Sequence, residues 1–184
     1  RWPDSPFIWY LMWGTHCVAG HADAAEALAA PGAPPRRAVN ERDVNVLRNY
    51  VRLLRLSPND RRVACDALLD AVAQDNGPVP LSTCLFAASQ GCADRAFDVI
   101  NAALDQGRAL KPDNHEAFGM ARAQSSLQFF VSTGGTPAWM NPRFPALCAR
   151  VGLAQYWLET KKWPDCATET PYDFRAACAE AVGG

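Results

Sequence analysis

A chain of 184 residues with hydrophobic residues at 49% has enough apolar material for a continuous core, and its length suits one elongated helical array better than two separate domains. Its 18 basic and 19 acidic residues are interleaved at a formal net charge of −1, which excludes the one-signed basic footprint of direct nucleic-acid binding. The longest apolar run, Pro6 to Trp13, falls far short of the roughly 20 residues that a membrane-spanning helix requires, so a soluble protein with no membrane segment is expected.

Near the N-terminus, FIWYLMWGTHCVAGHADAAEALAA reads as two short helices folded back on each other. Trp9 and Trp13 share a face of the first, Gly20 marks the turn, and Ala25 and Ala29 lie on the second. Because the chain begins at Arg1 and enters a helix almost at once, an upstream region is expected. Residues 31–41, PGAPPRRAVNE, hold three prolines and cannot continue a helix, so they form a loop or linker.

A second pair follows between Asp43 and Val72. Val44, Leu47, Val51 and Leu54 space out as one helix, and Val63, Ala64, Leu68, Ala71 and Val72 as another. Ser57-Pro58-Asn59-Asp60 joins them with a capping serine, a proline suited to the first helical position and an acid in the first turn. Arg61 and Arg62 come next, where they oppose the helix dipole and are expected to be held for another reason.

The third pair runs through PVPLSTCLFAASQGCADRAFDVINA. Leu81, Leu85 and Ala88 fall on one face, Gly91 breaks the chain, and Ala96, Phe97, Ile100, Ala103 and Leu104 make a second apolar stripe. The gap between Gly20 and Gly91 has room for two units of about 34 residues, the length of a tetratricopeptide unit.

This pattern resembles the tetratricopeptide family on Trp9, Gly20 and Ala25 in the first unit and Gly91, Ala96, Ile100 and Ala103 in the third. The resemblance implies an all-α fold of stacked helical hairpins, an α-solenoid, in one domain over 1–184. Its repeats fall at about 5–30, 42–75 and 78–108, with capping helices over 113–181. Asp113 and Glu116 would open the first capping helix, running to about Ser132, and a terminal repeat needs such a cover. The run TGGTPAWMNP then forms a loop, Asn141-Pro142 opens a further helix that Gly152 ends, Leu153 to Thr160 make another, and Thr170 to Asp173 start the last.

The tail NPRFPALCARVGLAQYWLETKKWPDC also resembles the closing segment of helical-repeat regions in bacterial multidomain regulators, where such a half follows a winged-helix or cyclase domain. Residues from Asn141 and Arg143 through Trp157 to Trp163 and Cys166 carry this likeness. It implies a sensing or oligomerising role in a signalling or transcriptional regulator.

Cys17, Cys65, Cys84, Cys92, Cys148, Cys166 and Cys178 include no pair at C-x-x-C spacing, so reduced buried thiols and a cytoplasmic setting are the default, with a Cys166–Cys178 disulfide left open. His16, Cys17 and His21 are poorly spaced for a metal, since adjacent helical residues point about 100 degrees apart. A cysteine paired with His115 has no supporting local signature, and no esterase elbow, phosphate loop or zinc-protease helix is present. The reading is therefore non-catalytic, with no cofactor and no metal.

Two features are candidates for partner binding. Trp9 and Trp13 would form an exposed aromatic docking pair if no preceding unit covers them. Arg48, Arg52 and Arg55 lie at helical spacing and would line a concave groove that receives an acidic peptide or a terminal carboxylate, the alternative being a solvated outer face. The expected partner is a protein or peptide, or an upstream domain of the same chain, and homo-oligomer formation stays open. The alternative function is a small-molecule sensor whose groove, lined by tryptophan and arginine, shifts an attached output domain.

Overall fold

The helices expected from the apolar periodicity are seen in a computed structural model of the chain, which describes residues 9, 12, 13, 16, 17, 21–30, 33, 41–111 and 138–184. Trp9, Met12, Trp13, His16 and Cys17 are helical, and α1 (Ala22–Leu28), α2 (Glu41–Leu54) and α3 (Pro58–Gln74) follow. Helix α3 begins as its sequence dictates. The Ser57 hydroxyl oxygen accepts the Asp60 backbone N–H at 3.3 Å, Pro58 fills the first turn, and Asp60 complements the dipole.

The third pair consists of α4 (Leu81–Ala87) and α5 (Ala93–Asp105), joined by a widened turn over Ala88–Cys92. Gly91 sits there at φ 98°, a backbone conformation that a side chain would strain. The kink lets α5 pack back along α4 and against α3. Two-residue strands β1 (Val79–Pro80) and β2 (Leu110–Lys111) pair in parallel, Val79 opposite Leu110, and tie the entrance of this unit to its exit. The pair is too short to alter the class: among the described residues the fold is all-α.

A turn of 3₁₀ helix at Ala138–Met140 replaces part of the loop expected there, because the Tyr172 hydroxyl donates to the Trp139 carbonyl at 2.7 Å and fixes that backbone. Helix α6 (Phe144–Arg150) follows, Gly152 at φ 81° separates it from α7 (Leu153–Thr160), and α8 (Phe174–Gly183) closes the chain. Asp173 caps α8 by accepting the Ala176 N–H at 3.0 Å. The capping helix expected from Asp113 to about Ser132 lies outside the described residues.

Among the described residues most helices pack on the next helix along the chain, and α6 packs most heavily on α8, across α7. Helix α1 lies on α2, α2 on α3, α3 on α4 and α5, α5 on α6, and α6 on α7 and α8. The main apolar core runs from Leu69 and Val72 through Leu85, Phe97 and Ile100 to Leu147 and Phe174. A second, smaller core gathers Trp9, Trp13, Ala25, Ala29, Val44 and Val51. Each large side chain fully buried in either core contributes on the order of 2–3 kcal/mol.

Candidate functional site

The arginines of α2 follow the expected helical spacing, but α1 occupies most of the face they form. Arg48 donates to the Ala29 carbonyl at 2.8 Å, just past the C-terminus of α1, where helix carbonyls lack intrahelical donors. Arg55 bridges two α1 carboxylates, Asp23 and Glu26, each at 2.5 Å. Arg52 is exposed, with Asn49 of its own helix as a weak partner at 3.4 Å. Arg48 and Arg55 therefore fasten α1 to α2, while Arg52 and the 43% exposed side chain of Arg55 both reach solvent.

The tryptophan pair is likewise not an exposed surface. Trp9 is 1% exposed and Trp13 4%, because α1 and α2 fold over them. The Trp9 indole donates to the Leu28 carbonyl at 3.0 Å, and the Trp13 ring leans on Tyr50 at 6.3 Å between centroids. Among the described residues, the large apolar side chains left exposed near this unit are Met12 beside the tryptophans, Leu56 in the α2–α3 turn and Val63 on α3, the last 65% exposed.

Arg61 supplies the reason that the sequence left unstated. It reaches back from α3 and donates to the carbonyls of Leu53 at 3.1 Å, Leu54 at 2.7 Å and Leu56 at 3.1 Å. A cation opposed to the dipole of its own helix thus satisfies the negative end of the preceding one. Its remaining arm donates to the Gln90 side-chain oxygen at 3.1 Å.

A further electrostatic feature escaped the sequence reading. Helix α5 presents Asp94, Asp98, Asn101 and Asp105 on one face, and arginines at the two ends of α6, Arg143 just before it and Arg150 at its close, answer them. Arg143 pairs with Asp98 at 2.6 Å and donates to the Asp94 carbonyl at 2.9 Å, while Arg150 pairs with Asp105 at 2.7 Å and donates to Asn101. On the α3 side, Arg95 pairs with Asp70 at 2.6 Å. The periodic acids at 94, 98 and 105 were the available signal.

Between α3 and α5 lies a shallow open depression of about 200 Å³ bordered by Arg95, Asp98, Gln106 and Arg108. That is below the few hundred Å³ typical of small-molecule pockets. Its cations are engaged within the chain, Arg108 donating to the carbonyls of Gly77 at 2.8 Å and Val72 at 3.2 Å.

The seven cysteines are free thiols, including Cys166 and Cys178. Burial pushes the Cys65, Cys92 and Cys178 thiols up to about 11 and Cys17 up to about 12, and holds Cys148 well above its ordinary value. They stay protonated at neutral pH, which makes them poor nucleophiles. His16 and His21 stand 6.0 Å apart between ring centroids, and no group of three or more metal-ligating side chains converges among the described residues. His115, Arg36 and Arg37 lie outside the described residues. Among the described residues no helix is long and apolar enough to cross a membrane.

No protein-family model matches this chain, and no significant match to a curated protein or a solved structure is found.

Proposed function

We propose that this chain is a tetratricopeptide-like helical-repeat scaffold without catalytic activity, presenting a surface to a protein partner or to a neighbouring domain of the same bacterial signalling or transcriptional regulator. The observation that carries the reading is the packing of successive helices from α1 to α5, as in arrays whose stability comes from stacking successive units, with α6, α7 and α8 gathered against one another beyond them. Free, protonated thiols support a cytoplasmic setting.

Within this reading the docking surface moves from Trp9, Trp13, Arg48 and Arg55 to the solvent-facing side of the α2–α3 hairpin. Arg52, Leu56 and Val63 flank its turn and combine one cation with two exposed apolar side chains. An acidic, partly apolar peptide segment is the matching chemistry.

Affinity capture with the wild-type chain and with an Arg52→Glu, Val63→Glu double variant tests it, circular dichroism being used to show that both are folded. A specific protein captured by the wild type and lost by the variant is the expected result. Equal capture by both removes this surface from the proposal, and capture by neither shifts the reading to docking within a larger chain.

A further inference from the structure

We infer that the chain opens at the joint between its two apolar cores and that Arg61 is the latch that holds this joint closed. Among the described residues, the two cores have only Leu53 and Phe86 in common, both partly buried side chains at their boundary. Helix α2 belongs to the smaller core through Val44, Tyr50 and Val51, whereas α3 belongs to the main core through Cys65, Leu69 and Val72. Opening between them parts Tyr50, Leu53 and Phe86 and leaves the rest of each core in place.

Polar and aromatic contacts cross the joint. The Tyr50 hydroxyl shares a 2.7 Å hydrogen bond with Thr83, and its ring stacks on Phe86 with centroids 4.5 Å apart. Arg61 spans it from α3 to three carbonyls at the end of α2. Behind the guanidinium stands a chain of side chains at the Gly91 kink. Gln90 accepts from Arg61 and donates to the Ser89 hydroxyl at 2.9 Å, and Ser89, buried, donates to the Phe86 carbonyl at 2.8 Å.

Structural units separate more readily where few apolar contacts and several solvent-replaceable hydrogen bonds join them. The carbonyls that Arg61 releases pass to water rather than into a void, so the open state keeps two folded parts. Opening would expose Tyr50, Leu53 and Phe86 and free the end of α2. This device does not depend on which partner the scaffold binds.

Native-state hydrogen exchange followed by mass spectrometry on the full chain tests the inference. In Arg61→Ala, amides of α2 are expected to exchange about tenfold faster or more, the loss of hydrogen bonds to a charged donor, while those of α5 and α8 keep the wild-type rate. Gln90→Met, which removes the acceptor that aims the guanidinium together with the donor to Ser89, should give the same pattern at smaller size, and it decides the question alone if Arg61→Ala does not fold. Equal acceleration in α2, α5 and α8, or none in α2, overturns the latch.

Discussion

Arg150 meets Asp105 one heptad further along each helix than Arg143 meets Asp98, at 2.7 and 2.6 Å respectively. The repeat places α5 and α6 side by side in one register over two helical turns. Arg143 also lies over the Phe97 ring, 5.8 Å from its centroid, so the ion pairs border the apolar contact between the helices.

Replacing both arginines by alanine should loosen the C-terminal unit from α5. The pairs are partly exposed and screened, so the loss is expected at about 1–2 kcal/mol in urea unfolding, most of it from Arg143 and its carbonyl bond. The wild type should lose part of this margin in high salt and the double variant almost none. Identical salt dependence would show that the pairs contribute nothing.

Phe174 is the aromatic centre of the C-terminal unit, with ring centroids of Trp157 at 5.6 Å, Phe144 at 6.2 Å, Tyr172 at 6.4 Å and Trp163 at 6.5 Å. Phe174→Ala opens a cavity that four rings cannot jointly fill, at an expected cost of about 3–5 kcal/mol. Tryptophan fluorescence should shift to the red as Trp157 and Trp163 meet water. A small stability change with an unshifted spectrum would contradict this packing.

Ala96, 1% exposed on α5, leaves no room for a larger side chain in the main core. Ala96→Trp is expected to cost more than about 3 kcal/mol through overpacking, visible as a melting temperature lowered by ten degrees or thereabouts. A normal melting curve would show that the site can expand.

The buried thiols predict alkaline instability. Cys65 and Cys178 ionise near 9 when unfolded and near 11 when folded. Between those values the unfolded chain has released protons that the native chain retains, so stability falls as pH rises, whereas it is fully present below about 9. The melting temperature should therefore be level around neutrality and decline above about pH 9. Cys65→Ala with Cys178→Ala should lower it at all pH values but make that decline shallower; an unchanged slope would remove thiol burial as its cause.

Much of the local structure was legible in the residues themselves. The Ser57-Pro58-Asn59-Asp60 run marked the start of α3, Gly91 the kink, and the stripe from Ala96 to Ala103 the buried face of α5, because caps, positive φ and helical periodicity are properties of short segments. The candidate site was far less legible. The spacing of Arg48, Arg52 and Arg55 identifies a shared face, yet the same spacing describes an open groove or a helix-to-helix fastening.

By itself, then, the sequence determined the helical character of the described residues, the start of α3, the break at Gly91 and the apolar face that α5 must bury. Only the tertiary structure decided what those faces meet. It set Arg55 against Asp23 and Glu26, thirty-two and twenty-nine residues away in the chain, covered Trp9 and Trp13 with α1 and α2, and turned the unfavourably placed Arg61 into a cap for another helix. The physical reason is range: propensity and capping act within a few residues, whereas burial and ion pairing depend on which distant segments the packing brings within a few ångströms.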